Sequence, residues 1–222
     1  MWRSQSRDRD AFLLALFVGT DLVFMALHPL HSWSGFFTDP RFALTQDRGF
    51  AETFQYLKEG WIAAILLSFW FRTPGLLYAS WALLFGYLLV DDLFAVHERL
   101  GAVIGGRFGL PRLFSLRPQD IGEVLVSGSA AAVFSLVIGV GHHRADPPAR
   151  SISRSLLAGV VILALFGVVL DTIHAMVSHP IGQIALDVLE DGGEMLTMSV
   201  IVWFVFRSFH QPSSEPCATV RG

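Results

Sequence analysis

Residues 124–140 read VLVSGSAAAVFSLVIGV, a stretch without a single charged side chain. The hydrocarbon core of a bilayer is about 30 Å thick and requires about 20 mostly apolar residues in a helix. Residues 155–170 and 195–206 are also free of charge. These three stretches predict membrane-spanning helices rather than the buried helices of a soluble domain.

Outward from these stretches, three more segments are apolar enough to be predicted as spans, although they contain charged residues. The six predicted spans are 11–29, 51–71, 75–96, 121–141, 155–177 and 184–206. The sequence Arg72-Thr-Pro-Gly75 is typical of a tight turn, so the second and third spans are expected to be antiparallel neighbours. We therefore predict an all-α polytopic membrane protein, a six-helix transmembrane bundle that forms a single domain over residues 1–222.

The composition excludes several classes of protein. Hydrophobic residues make up 53% and charged residues 16% of the chain, against about a quarter charged in typical soluble domains. A net charge of −3 offers no basic surface for nucleic acid. The one cysteine, Cys217, excludes an intrachain disulfide and a cysteine-rich metal site.

The arginines predict the orientation of the chain, because cytoplasmic loops are enriched in positive charge. With the N-terminus inside, nine arginines fall on the cytoplasmic side and six outside. We therefore expect a multi-pass protein of a bacterial-type inner membrane, with both termini in the cytoplasm. Asp21 lies inside the first span and no small-x-small site follows it, so this span is expected to be a retained anchor.

The acidic residues within the spans share a position relative to the direction of each span. They lie in the C-terminal halves of odd spans or the N-terminal halves of even spans, so alternation of the spans would bring them all to one end. These acids are Asp21, Glu52, Glu59, Asp91, Asp92, Glu98, Glu123, Asp171, Asp187, Glu190, Asp191 and Glu194. Charges at membrane depth are costly and face the interior of a bundle, which makes them candidates for function.

Helical periodicity places several of these residues on common faces. Asp21 and His28 are seven residues apart, and Asp171 and His174 are three apart, so each pair shares one helix face. Asp171-Thr-Ile-His174 is an Asp-x-x-His version of the Glu-x-x-His sequence used by soluble di-iron bundles. Imidazole with many carboxylates suits iron, manganese or zinc.

We therefore predict a metal site close to the periplasmic face. The predicted ligands are Asp92, His97, Asp171, His174, Glu190, Glu194 and Glu59. Residues expected to orient these ligands or to relay protons are Asp21, His28, Asp91, Glu98 and Asp191. The predicted cofactor is a divalent metal, iron with one or two ions, and zinc is the alternative.

Some of these polar residues also have structural interpretations. Glu98 could form an ion pair with Arg99, and Lys58 one with Glu59. Glu52 and Asp187 are expected to be solvated at the interface, and Glu123 to bind amides at a helix start. Gly192-Gly193 would permit close helix contact or leave room for a ligand.

The predicted function is a metalloenzyme that modifies a lipid or another hydrophobic substrate by O2-dependent oxidation, with an electron donor as a candidate partner. A zinc hydrolase of lipid esters or amides is the first alternative. A proton or metal-ion transporter is the second, and a haem-binding accessory subunit the third. The His-x-x-x-His pair and the histidine boxes of known membrane hydrolases and desaturases are missing, so no family is assigned.

Overall fold

The structure is a computed structural model that describes residues 2–34, 38–109, 111, 117–174 and 179–210, without the side chains of 2–7, 171, 172 and 180. Over these ranges the chain is helical and contains no strand. The helices are α1 (Trp2–Ser34), α2 (Phe50–Arg72), α3 (Leu76–Phe94), α4 (Val96–Arg107), α5 (Pro118–Arg144), α6 (Pro147–Ala164), α7 (Asp171–His174) and α8 (Pro180–His210). This confirms the all-α class.

The long helices pack antiparallel to their neighbours. α1 and α8 meet at both ends, where Trp203 Nε1 donates to the Asp10 carbonyl and His28 contacts Asp187. α6 runs against α8 in the same way, since Gly159 lies against Ile201 and a π-helical turn at Leu165–Leu170 lies against Gly193. The alternation that the acidic pattern required is therefore present.

Among the residues that the structure describes, four helical segments are long and apolar enough to cross a membrane: Asp8–Ser34, Leu76–Phe94, Pro118–Arg144 and Pro147–Leu170. They indicate a membrane protein. α2 and α8 cover the other two predicted spans but do not meet this criterion, and each carries several ionisable residues, among them Lys58 and Glu59 on α2 and Glu190 and Glu194 on α8. The six-span arrangement thus remains a prediction for α2 and α8.

The boundary at the end of α3 differs from the expectation. The span predicted to reach residue 96 stops at Phe94, because Ala95 adopts a left-handed conformation with φ 47°. The following segment, which lies between the third and fourth predicted spans, forms α4 and packs on α5. Gly101 and Gly105 face α5 so closely that a Cβ at either would overlap Glu123 or Pro118, which lets the two backbones approach.

The apolar core occupies the end of the bundle away from the acidic residues. Its fully buried members lie on four helices: Ile62 and Leu66 on α2, Trp81 and Phe85 on α3, Leu156 on α6 and Val205 on α8. The buried charged side chains of the described residues, Asp21, Lys58, Glu59 and Asp91, lie nearer the opposite end, as do His28 and Gln55. The buried polar residues of the apolar half are the uncharged Ser80 and Ser153. The fold therefore separates an apolar half from a polar half along the helix axes.

Candidate functional site

The first part of the polar half is a hydrogen-bonded network that joins α1, α7 and α8. Asp187 lies at its centre and contacts two histidines: Oδ2 is 3.1 Å from His28 Nε2, and Oδ1 is 3.3 Å from His174 Nε2. The other ring nitrogen of His174 lies 3.0 Å from Glu190 Oε2. Two histidines and two carboxylates from three helices are thus connected without a gap.

The tautomer of His28 follows from its partners. The backbone N–H of Leu44 donates to His28 Nδ1 at 3.1 Å, so the ring proton is on Nε2 and is donated to Asp187. His28 is buried, and both of its nitrogens are occupied. It therefore holds the loop at Leu44 and orients Asp187, in agreement with its predicted role as an orienting residue.

His174 has carboxylate oxygens at both ring nitrogens. An ionised carboxylate accepts hydrogen bonds but cannot donate them. Each of the two contacts, to Asp187 and to Glu190, therefore requires a proton or a cation between the two atoms. This arrangement is suited to exchange between protons and a metal ion.

The second part of the polar half is an acidic cavity of about 210 Å³ between α2, α3, α8 and the loop that precedes α2. Carboxylates from these four elements line it, together with the amide of Gln55. The acidic lining residues are Asp47, Glu52, Asp92, Asp191 and Glu194. The cavity is adjacent to the network around Asp187, because Asp187 and Asp191 lie one helical turn apart on α8.

Glu59 closes the acidic cluster on the side of α2. It is 2% exposed, and its carboxylate interacts electrostatically with those of Asp92 and Glu194. Since ionised carboxylates repel, a proton or a cation near them would relieve the repulsion. The second oxygen of Glu59 and the side-chain oxygen of Gln55 have no hydrogen-bond partner among the described residues, and neither does Asp191 Oδ2. Three acceptors are therefore left for a ligand that carries positive charge.

Below this cluster lies a buried ion pair. Lys58 Nζ donates to Asp21 Oδ1 at 3.0 Å, to the Met195 carbonyl at 2.8 Å and to Ser199 Oγ at 3.3 Å. Ser199 Oγ in turn donates to Asp21 Oδ2 at 2.5 Å. The expected pairing of Lys58 with Glu59 is wrong, because adjacent residues on a helix point about 100° apart.

His97 and Asp91 lie outside the cavity. Asp91 accepts from the backbone N–H of His97 at 2.8 Å and from its Nδ1 at 3.0 Å, and this hydrogen bond raises the pKa of His97. The pair links the end of α3 to the start of α4 across the left-handed Ala95. Asp91 and Asp92 thus face different sides of α3, and the structure does not bring His97 to the other predicted ligands.

The sequence also singled out Glu98, Asp171 and the pair Gly192-Gly193. Glu98 is exposed on α4 and forms no ion pair with Arg99 in the described part of the chain. The side chain of Asp171, a predicted ligand, lies outside the described residues. Gly192 and Gly193 permit close helix contact, because Met25 and Phe166 occupy the space beside them. They therefore leave no room there for a ligand.

Sequence reasoning underrated Asp187, which was expected to be solvated at the interface. Its side chain is 14% exposed and is bound by two histidines. Glu52 also has a defined role, since its carboxylate accepts the backbone N–H of Arg48 at the start of α2 and lines the cavity. The signal for Asp187 was its position one turn before Asp191 on the acidic face of α8. No comparable pattern in the sequence predicted that the loop at Leu44 would contact His28.

Within the described ranges, no group of three or more His, Cys, Asp or Glu side chains is arranged to hold a metal ion as it stands. Comparison with known families gives one match, over residues 11–208, to a family described as a domain of unknown function (DUF8692). The chain belongs to this family. No curated protein matches it, and no solved structure does. The match includes most of α1 and α8 and all of the helices between them, so the acidic cavity and the network around Asp187 both lie within the family's domain.

Proposed function

We propose that the protein is a membrane metalloenzyme that binds one or two divalent metal ions, with iron as the first candidate, in the acidic cavity and the adjoining network. The observation that carries this proposal is the cluster of carboxylates around the cavity, in which the buried Glu59 lies close to Asp92 and the buried oxygens Glu59 Oε2, Gln55 Oε1 and Asp191 Oδ2 have no hydrogen-bond partner among the described residues. Iron, manganese and zinc are the metals that suit carboxylate and imidazole together.

The first metal position would use carboxylates of the cavity. Glu59, Asp92 and Glu194 come from α2, α3 and α8 and lie close enough to interact with one another. Rotation of these side chains into the cavity would bring oxygens from three helices to one ion. The amide oxygen of Gln55 and Asp191 Oδ2 are further acceptors that require no competing partner to be displaced.

The second position would use the network around Asp187. Two ligands on one octahedral ion, each at about 2.1 Å and at right angles, lie about 3 Å apart. The 3.3 Å separation of His174 Nε2 from Asp187 Oδ1 is compatible with this spacing. Glu190, 3.0 Å from the other ring nitrogen, would then hold the imidazole in place. His28, which donates to the second oxygen of Asp187, would hold that carboxylate in place as outer hydrogen-bond partners of metal sites do.

The proposed substrate is a lipid or another hydrophobic molecule, and the proposed reaction is its oxidation by O2 with electrons from a donor. The cluster lies near one end of long apolar helices, which corresponds to headgroup and upper acyl depth if all six helices cross the bilayer. With N-in and C-in orientation in a bacterial-type inner membrane, this depth is on the periplasmic side. The metal would supply the oxygen chemistry, and the chain's carboxylates would position it and take up protons.

The buried residues beyond Lys58 and Ser199 argue against a conduction pathway. Along α2 and α8 they are Ile62, Leu66, Ile201, Val202 and Val205, all apolar. A proton or ion pathway marked by ionisable side chains would continue toward the other face. The one-sided polar half therefore favours a reaction site over a transporter.

The test is elemental analysis of the detergent-purified full-length protein, with Glu59→Gln and Asp187→Asn as variants. Asp146→Asn is the matched control, because Asp146 is exposed at the opposite end of the bundle. We expect iron at about one or two ions per chain, lost in part or whole from both variants and retained in the control. All four proteins should elute as single symmetric peaks, which shows that they are folded.

Zinc at about one ion per chain would overturn the oxidation chemistry and favour the hydrolase. A folded protein that takes up neither iron, manganese nor zinc would overturn the metal site itself. Lipid extracts from cells with and without the gene test the substrate class, and oxygenated lipids that depend on the intact Asp187 are the expected result.

A further inference from the structure

A second cavity lies away from the acidic cluster, in a groove between α3, α5 and α6. Its volume is about 540 Å³, within the range of ligand pockets, and its walls are mostly apolar. Leu88 on α3, Phe134 and Ile138 on α5 and Leu157 on α6 form much of its surface. This groove contains none of the residues to which the proposed metal site is assigned.

The two ends of the groove differ in charge. One end is formed by Asp91, whose carboxylate is hydrogen-bonded to His97. The other end is formed by Arg154, His142 and His143, where α5 passes into α6. Arg154 has no hydrogen-bond or ionic partner in the described part of the chain, so its guanidinium is available to an anion.

His142 is also oriented toward such a ligand. Trp81 Nε1 donates to Ser153 Oγ at 3.0 Å, and Ser153 Oγ lies 3.3 Å from His142 Nδ1. Because indole can only donate, Ser153 accepts from Trp81, and its hydroxyl either donates to His142 Nδ1 or accepts from it. The contact holds the His142 ring beside Arg154 at the basic end. When His142 Nε2 carries a proton, it is a second donor for an anion there.

The length of the groove suits one leaflet. From Trp81 to Asp91 the axis of α3 rises about 15 Å, which is half of the approximately 30 Å hydrocarbon core. A single acyl chain therefore fits between the basic and acidic ends. Basic pockets between membrane helices are known to bind anionic lipid headgroups.

We propose that this groove is a binding site for an anionic phospholipid of the surrounding membrane, with the phosphate at Arg154 and His142 and one acyl chain lying along α3 and α5 toward Asp91. The site is separate from the metal cluster and does not depend on the proposed enzyme activity. The positive charge at one end selects an anionic headgroup. The apolar channel, about as long as one leaflet is deep, accommodates the acyl chain.

The first test is native mass spectrometry of the purified full-length protein titrated with phosphatidylglycerol and, separately, phosphatidylcholine of identical acyl chains. We expect phosphatidylglycerol to bind preferentially at one site per chain. Arg154→Gln should lower that preference about fivefold. Arg150→Gln is the matched control, because Arg150 is bound to the carbonyls of Ala145 and His143 and does not line the groove.

The second test fills the groove. Gly139 lines it, and a side chain there would meet nothing within 4 Å, so Gly139→Leu should occupy the space and reduce binding of both lipids. Gly128→Leu is the control, because Gly128 is equally open on the same helix but outside the groove.

A photoreactive acyl chain on phosphatidylglycerol gives the location, with labelling of α3, α5 and α6 as the expected result. Equal binding of the two lipids, equal loss in Arg154→Gln and Arg150→Gln, or labelling confined to other helices would each overturn the proposal. A purified protein that takes up no metal but prefers phosphatidylglycerol would refute only the proposed metal site. A protein that binds metal but shows no preference for phosphatidylglycerol would refute only the lipid site.

Discussion

At the scale of single residues, the polar half of the protein is organised by the need of each buried charge for a partner. Lys58 and Asp21 are fully buried and satisfy each other, with Ser199 and the Met195 carbonyl completing the coordination of the ammonium group. Removal of one partner from a buried ion pair typically costs about 3–5 kcal/mol, because the remaining charge is left without compensation.

Lys58→Met should therefore destabilise the protein by about 3–5 kcal/mol. The double variant Lys58→Met/Asp21→Leu should recover most of this loss, because apolar replacement of a whole ion pair is often neutral. The free energy of unfolding in detergent micelles, measured for the cycle that includes Asp21→Leu, checks this. Additive losses in the double variant would contradict the pairing.

His28 connects the loop before α2 to Asp187, so this single side chain affects the geometry of the proposed metal site. His28→Gln should weaken metal binding by about 10- to 100-fold if the proposed metal site is right, as loss of an outer hydrogen-bond partner typically does. His143→Gln is the control, since that histidine is exposed at the other end of the bundle. Metal titration by calorimetry gives the affinities, and equal affinities in the two variants would refute the orienting role.

The partners of these residues could be predicted only in part. The spacing of Asp21 and His28 predicted that they share one face of α1. The structure confirms this, because both side chains are buried in the bundle. It could not predict that Asp21 would contact Lys58 and His28 would contact Asp187, because those contacts depend on how far α1 is shifted along α2 and α8.

At the scale of elements, glycine controls how closely helices approach. A Cβ on Gly122 would overlap the carbonyl of Gly101, so α4 and α5 pack backbone against backbone at this position. The helix α4 was not predicted, because its segment lies between two predicted spans and glycine disfavours helix. In the structure, its glycines permit the contact with α5. That contact depends on tertiary packing, and no pattern in the local sequence predicts it.

Gly122→Ala should destabilise the protein by about 1–3 kcal/mol through overpacking. Gly128→Ala is the matched control on the same helix, where an added methyl group meets nothing. It should be neutral or stabilising by up to about 1 kcal/mol, since alanine favours helix over glycine. Thermal denaturation in detergent distinguishes the two, and similar melting temperatures would refute the close packing of α4 on α5.

At the scale of the whole molecule, antiparallel packing brings acids that are far apart in sequence to one end. The proposed six-span topology makes a direct prediction for single-cysteine variants in a Cys217→Ser background. Cysteines at Asp47, Pro111 and His179 should react with a membrane-impermeant thiol reagent added outside the cell. Cysteines at Thr73 and Asp146 should react only after the membrane is permeabilised.

The same experiment separates six spans from four. If α2 does not cross the membrane, positions 47 and 73 will be labelled from the same side. If α8 does not cross, the native Cys217, labelled in the unmodified chain, will share a side with position 179. Labelling of 73 and 146 from outside, with 47 and 179 protected, would instead show an inverted orientation of an intact six-helix bundle.

The amino-acid sequence by itself determined the helical class, the approximate positions of the long helices and the end of the bundle at which the acids collect. These properties follow from hydrophobicity and from the direction of neighbouring spans, both of which can be read along the chain. Only the tertiary structure decided that Asp187 rather than His97 joins the histidine network, that Asp91 and Asp92 serve different cavities, and that a lipid-sized groove lies between α3, α5 and α6. The reason is that partner choice depends on the relative shift and rotation of packed helices, which differences of a few ångströms determine and which periodicity in the sequence does not encode.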